Sequence, residues 1–565
     1  MDRVTSAVRA LRRIHVHAPA AGSVRVVVRT RRTPIKVTPI AARRELAGRG
    51  DWVAEFVVEV GDHYSVVVDD GPPLLDPNCR DVVMTAEGSR SVVREPWPRH
   101  PQGAPLASPP VVYELHVRGL GRTFRGCIQH LDRIAATGAN VLELMPVHPF
   151  DRTDNYWGYM PMVWGAVHRA YASEPDRAAE ELADLVTAAH ERGMHVWIDV
   201  VFNHTGEGDP SLPTHSLRGL DDANAYRRDA NGRYTNDSGC GNDINPADPN
   251  VRRLVLEALD RYADLGVDGF RFDLASLLTR DGGELVRQID EWGRGRGVAL
   301  IAEPWDMGSY EVGSPVWPAG WLQWNDRFRD DVRGFLRGES GLVHAICQRV
   351  QGSPDLFADG AATSLNFVSA HDGLTMHDLT AITDDRHRSW DCGPALRMQQ
   401  LKNFFTLLLL SAGTPMWVMG DEFGRTQEGH ANPYDIDSPL TWVDWQRAQE
   451  WSELTDFVAA LSALRRAHPP HDFRFHGVGP DVDEGFESRS LAWCAGDLYV
   501  MVNAWWQPLT FGVHEPGEWI VALETAPAAT LPDAPLDGVQ AVLPVADQVV
   551  VPPRSIVVLQ RPPAG

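Results

Sequence analysis

The chain has 565 residues, too many for one hydrophobic core, so roughly two to four domains are expected. Hydrophobic residues make up 43% and charged residues 23%, which excludes disorder as the dominant state. Its 53 basic and 76 acidic residues leave a net charge of −23, which argues against nucleic acid or an anionic membrane as partner, since both select a basic face.

The opening run MDRVTSAVRALRRIHVHAP is basic but holds no continuous apolar stretch of signal-peptide length. Residues 1–100 are expected to form a β-sandwich, from short β-branched runs at 14–18, 23–30, 51–60 and 63–70 split by Gly, Pro and Asp turns. A Pro-rich strap follows, EPWPRHPQGAPLASPP (95–110).

From residue 111 strands and amphipathic helices alternate. The predicted strands are VVYELHV (111–117), NVLELMPV (140–147), HVWIDVVF (195–202), VDGFRFD (267–273), VALIAEP (298–304), WLQWND (321–326), SLNFVSAHD (364–372) and PMWVMGDE (415–422). In the helical segment 176–193 Leu182, Leu185, Val186 and Ala189 share one face and Gly193 supplies the stop. In 248–266 Asp248 is placed as N-cap, Pro249 in the first turn and Gly266 at the end. Eight such alternations predict an α/β fold of the parallel (β/α)8 TIM-barrel type, with the catalytic domain at 101–465. The competitor is an open doubly wound sheet, but GLGRTFRG (119–126) lacks its glycine fingerprint. The window FFTLLLLSAGTPMWVMG is broken by Ser, Gly, Thr and Pro, so it reads as a buried helix and a strand rather than a membrane span. Residues 466–565 are expected to form a C-terminal antiparallel β domain. The six cysteines are scattered without the close spacing of a zinc or redox motif, which fits a thiol-reduced, cytoplasmic protein.

In a (β/α)8 barrel the chemistry gathers where the strands end. Those ends carry Asp199 with Asn203 and His204, then Arg271 and Asp273, then Glu303, then His371 and Asp372. A single strand-end Asp is usually a cap or a turn residue. Carboxylates at four strand ends, with two histidines and an arginine, point to a site. Arg271 and Asp273 lie two apart on one strand, so their side chains share a face, and a fixed cation favours an ionised nucleophile. Glu303, between Ile301 and Pro304–Trp305, is placed to hold a proton for a leaving group. A nucleophilic carboxylate facing a protonated one is the equipment of a retaining glycosidase, with the pair roughly 5–5.5 Å apart. Metal-assisted hydrolysis is the alternative use of such a cluster, and the wide separation of the histidines speaks against it.

DVVFNH (199–204), GFRFDLAS (269–276), IAEPWD (301–306) and VSAHDG (368–373) resemble, in order and spacing, the four signature regions of the α-amylase superfamily of glycoside hydrolases. The resemblance implies Asp273 as nucleophile, Glu303 as general acid/base and Asp372 as the carboxylate that orients the sugar. It implies Arg271, His204 and His371 around the sugar hydroxyls and the charge of Asp273, with Asp199 in support. A finer match is to the glycogen-debranching and isoamylase-type branch, through YELHVRGL (113–120), LELMPVHPF (142–150), NYWGYMP (155–161), GCGNDIN (239–245), WNDRFRDDVRGFLRG (324–338) and GTPMWVMGDEFGRTQEGHANPYD (413–435). Within that match Tyr159 stands for the aromatic beneath the sugar at the cleaved bond, and the leading β domain looks like the branch's glycogen-binding module.

What the resemblance implies is hydrolysis of α-1,6 branch linkages in glycogen, amylopectin or branched maltodextrin, with retention. A branching transglycosylase, a trehalose-releasing α-1,4 hydrolase and a non-catalytic glucan-binding subunit are the rivals. Sugars need flat apolar plates rather than charge. The 19 tryptophans fit that need, with Trp157, Trp164, Trp305, Trp317, Trp321 and Trp324 at or after strand ends, of which a minority, Trp305 among them, is expected to touch substrate, and Trp197 in the core. No cofactor is expected, and Asn203 alone is too weak a basis for calcium. The chain departs from the branch in two shortened loops, GRTFRGC after the first strand and TAITDDRHRSWDCGPALR after Asp378, which are expected to widen the cleft for bulkier polymer.

Overall fold

The computed structural model describes residues 10–31, 36–44, 50–153, 155–527 and 547–562. The first half of the basic opening run, residues 1–9, lies outside them. The N-terminal segment forms two antiparallel sheets, one of three strands in the order Ala10–His17, Asp51–Val58, Arg43–Arg44. The other has five, Val37–Ala41, Val24–Arg29, His63–Val68, Gly88–Val92 and Val82–Thr85. Along Val24–Arg29 every second residue is buried, as the period of a one-face strand requires. The hairpin Val82–Val92 escapes sequence reading because its second strand, Gly88–Val92, is polar and short.

The barrel closes with eight parallel strands: β1 (Val112–Leu115), β2 (Val141–Leu144), β3 (His195–Val200), β4 (Gly269–Phe272), β5 (Ala299–Ala302), β6 (Leu322–Asn325), β7 (Ser364–Phe367) and β8 (Thr414–Val418). β8 pairs back onto β1 at Met416 and Val112. All eight predicted strands are present, each shorter than its apolar run, because the ends turn into the loops of the mouth. Asp248 caps the helix Pro249–Asp264 through the Asn250 and Val251 amides at 2.9 and 2.8 Å. Gly266 follows at φ +92°, where a side chain would be strained.

The Pro-rich strap runs under the barrel, with the Gly103 amide on Asp268 at 2.8 Å and the His100 amide on the Asp264 carbonyl at 2.7 Å. The apolar helix Pro394–Leu410 is buried from Gln399 onward. Asn403 donates from it to the Arg554 carbonyl of the C-terminal domain at 2.7 Å. Its hydrophobicity is thus consumed by packing, and among the described residues no helix is long and apolar enough to cross a membrane. The C-terminal domain is a five-stranded antiparallel sheet with a separate pair, Leu509–Gly512 and Gln548–Val551.

Candidate active site

β4 ends at Phe272, and the chain turns at once. Leu274 adopts a left-handed backbone at φ +39°, a strained conformation for a branched residue, held because the Leu274 amide donates to Glu303 Oε2 at 2.8 Å and the Ala275 amide to the Glu303 carbonyl at 2.9 Å. The turn therefore sets Asp273 and Glu303 side by side. Arg271, 1% exposed, bridges them, with Nη1 at 3.0 Å from Asp273 Oδ1 and Nη2 at 3.0 Å from Glu303 Oε2. Asn203 donates to the other Asp273 oxygen at 2.8 Å. Both oxygens of Asp273 are thereby held in place.

Burial pushes the Glu303 carboxyl up to about 8, against the opposing pull of Arg271. The apolar flanks seen in the sequence account for the direction. Asp199 lies beneath, taking a hydrogen bond from Tyr159 Oη at 2.5 Å and one from Arg271 Nη1 at 2.7 Å, and burial raises it to about 6. His204 Nε2 faces the Tyr159 carbonyl at 2.6 Å and Nδ1 faces Asn203 Oδ1. With an acceptor on each side both nitrogens carry protons. Burial lowers its pKa, but Cys240, Asp273 and that carbonyl outweigh it and bring it to about 9. His371 Nδ1 pairs with Glu114 at 2.7 Å, which overcomes the burial cost and lifts it to about 9. Tyr159 stacks on His371 with ring centroids 5.0 Å apart, and Trp157 meets the same ring edge-on.

These groups open into a cleft of about 940 Å³ lined by Trp157, Tyr159, His204, Asp273, Glu303, His371 and Asp372. Asp372 is exposed at its rim. Asp199 and Arg271 form the buried layer below. Trp305 is placed elsewhere, in a neighbouring groove with Met307, Tyr310 and Asp326. Trp164, Trp317, Trp321 and Trp324 are buried, Trp324 with the Arg271 guanidinium 4.3 Å above its ring. Of the six tryptophans named, Trp157 alone lines the cleft.

Sequence reading missed the floor of the site. Glu114 and Glu143 face each other across β1 and β2, both 1% exposed. Neither oxygen of Glu143 has a hydrogen-bond partner among the described residues, nor has Glu114 Oε2, Asp199 Oδ1 or Trp324 Nε1. The signal was present as a carboxylate inside each apolar run, YELHV and LELMP. Leu274 had none, since its role comes from backbone conformation.

The class that this fold and mouth define is the α-amylase superfamily of glycoside hydrolases. Comparison with known proteins agrees, as the family described as "Alpha amylase, catalytic domain" matches residues 114–213. The glycogen debranching enzyme of Klebsiella pneumoniae is 34% identical over 544 residues, covering 85% of this chain and 79% of that protein. The glycogen operon protein GlgX homolog of Mycobacterium tuberculosis is 36% identical over 463 residues, covering 70% of this chain, and the chain spans 63% of its length. Among solved structures, a pullulanase from Anoxybacillus sp. LM18-11 complexed with maltotetraose shares the fold, with a TM-score of 0.82 at 22% identity over 99% of this chain and 87% of that one. The chain belongs to the glycogen-debranching and isoamylase-type family of the α-amylase superfamily.

Proposed function

We propose that the protein hydrolyses α-1,6 branch linkages of glycogen, amylopectin or branched maltodextrin with retention of configuration. The observation that carries this reading is the pair Asp273 and Glu303 on adjacent strand ends, each 3.0 Å from one terminal nitrogen of the buried Arg271. Such shared anchoring supports the close spacing of a retaining pair, about 5–5.5 Å, over the wider one that admits a water between the carboxyls. The names of the relatives, glycogen debranching enzyme and isoamylase, support the α-1,6 bond.

In this reading Asp273 attacks the anomeric carbon and its oxygen forms a glucosyl ester as the glycosidic C–O bond breaks. Glu303 gives its proton to the leaving oxygen. Glu303, now ionised, then takes a proton from water as that water attacks the ester carbon, releasing the sugar and restoring both carboxyls. Arg271, shared between the two, stabilises whichever of them is charged. Asp372 and His371 hold hydroxyls of the same sugar, His204 those on the opposite side, and Tyr159 lies under the ring. Trp305, in its separate groove, serves a more distant sugar unit. The reading divides the chain at 1–100, 101–465 and 466–565, and places it in a reducing cytoplasm, for which six unpaired cysteines speak.

Two incubations test it. Glycogen should release linear chains, and linear maltodextrin should remain intact. Attack on the linear substrate, or transfer products without hydrolysis, would overturn it.

A further inference from the structure

A cavity of about 490 Å³ lies between the N-terminal module and the barrel helix Pro249–Asp264. It shares no described lining residue with the catalytic cleft. Six arginines and two carboxylates line it, in a chain whose net charge is −23. The excess of cations is therefore local, against the sign of the whole molecule.

Most of these cations are neutralised. Arg94 pairs with Asp81 and Asp176, each at 2.7 Å, and Arg253 with Glu257 at 2.7 Å. Arg12 pairs with Glu95, and Arg13 with Glu55 at 3.9 Å. Arg80 is the exception. It is half-buried, its Nε is sealed from solvent without a partner, and its guanidinium forms no hydrogen bond or ion pair with any described residue. Arg261, from the barrel helix, donates to the carbonyls of Cys79 and Gly165, each at 3.2 Å, and pairs with no carboxylate among the described residues. The two carboxylates of the cavity are already engaged. Glu257 is held by Arg253, and Asp76 accepts the Tyr64 hydroxyl and the Asn78 amide, each at 2.8 Å.

Burial, and after it the charge of Arg261, lowers the pKa of Arg80. A guanidinium nevertheless keeps its proton at neutral pH, so the two charges face one cavity without a counter-ion. Such an arrangement costs stability, and an anion would relieve it. The planar forks of two arginines match the oxygens of a phosphoryl group, which carries a charge of about −1.5 to −2 at pH 7. Leu11, Ile14 and Pro96 supply apolar wall beside them, and the volume suits a small molecule.

We propose that this cavity is a binding site for a small phosphorylated metabolite, whose phosphoryl group is held between Arg80 of the module and Arg261 of the barrel helix and whose organic part lies against Leu11, Ile14 and Pro96. A ligand so placed clamps the module to the barrel. The site is independent of the glucan reading of the cleft, and its test involves no glucan.

Ribose 5-phosphate, ribose and inorganic phosphate are titrated calorimetrically into the full chain and into two variants. Arg80→Met removes the unpaired charge, and Leu11→Glu sets a negative charge in the cavity from a position that is 67% exposed, where the fold tolerates it. Ribose 5-phosphate should bind wild type about tenfold or more tightly than inorganic phosphate, and ribose should not bind. Arg80→Met should lose about tenfold or more of that affinity, and Leu11→Glu should weaken it as well. In thermal melting a hundredfold excess of ribose 5-phosphate over its Kd should raise the wild-type Tm by about 2 °C and leave Arg80→Met unmoved. Without ligand Arg80→Met should melt no lower than wild type, since the side chain it loses has no partner. Absence of binding to wild type, or undiminished binding to both variants, overturns the proposal. Inorganic phosphate that binds as tightly as ribose 5-phosphate overturns it too, leaving an adventitious ion only.

Discussion

At the lower end of the barrel, Asp268 has both carboxylate oxygens in use. Oδ1 accepts the Gly103 amide at 2.8 Å, and Oδ2 accepts the Val196 amide and faces His190 Nε2, each at 2.8 Å. At the upper end Asp199 leaves Oδ1 bare, Glu114 leaves Oε2 bare and Glu143 leaves both oxygens bare among the described residues. Buried carboxylates stitch the strap to the strands below and are kept short of partners above. Saturated carboxylates hold structure. Unsaturated ones store a binding or protonation demand that the fold tolerates only because Arg271 and the rest of the core stabilise it.

The contrast breaks first at Asp273. Asp273→Asn keeps the shape and both neighbours but removes the nucleophile. Turnover of glycogen should fall by about 10⁴-fold or more, while retardation in a glycogen-containing gel persists. Near-normal turnover in this variant would remove Asp273 from the chemistry.

The lower end should answer in stability instead. Asp268→Ala strands two amides and an imidazole, a loss of about 3 kcal/mol in urea unfolding. The specific activity of the folded fraction should be unchanged, because Asp268 lies at the far end of β4 from the mouth. A drop in kcat without a shift in the unfolding midpoint would contradict this division.

How much of the contrast could be read beforehand follows from what each feature depends on. The eight strands and the mouth residues were legible because strand alternation and strand ends are local patterns. Asp199, Arg271, Asp273, Glu303, His371 and Asp372 all fall where that local rule puts them. The floor was not legible, because whether Glu114 and Glu143 meet depends on the register between β1 and β2. Trp305 follows a strand end, the pattern that marks a candidate sugar plate, but the turn after Glu303 carries it into the next groove. The join between the N-terminal module and the barrel depends on contacts between residues more than 100 positions apart, such as Leu75 with His215, and no window of sequence contains them.

Glu303 sharpens the contrast through pH. As the acid of the first step it must hold its proton, so kcat/KM should decline about tenfold per pH unit above a midpoint near its pKa of about 8. Stability moves in the same window. The folded value lies above the ordinary 4.5, so the unfolded chain releases this proton first, and stability contributed by the group falls as pH rises from 4.5 to about 8. Glu303→Gln should flatten that slope in melting scans while abolishing the activity limb. An unchanged slope would show that Glu303 is not the group held protonated.

The smallest effect is the most pointed test of the floor. Burial, and after it the charges of Glu114 and Asp199, hold the Glu143 carboxyl well above the usual range, which favours its neutral form. Glu143→Gln has the same shape and the same neutrality. It should change the unfolding free energy at pH 7 by less than about 1 kcal/mol and leave the His371–Glu114 pair, and with it kcat, intact. If Glu143 were instead ionised, two buried carboxylates facing each other would repel at low dielectric, and the same substitution would stabilise the fold by several kcal/mol. A gain above about 2 kcal/mol in urea unfolding therefore decides against a neutral floor. A neutral Glu143 leaves the Arg271 guanidinium to Asp199, Asp273 and Glu303, since a further negative charge nearby would compete for it.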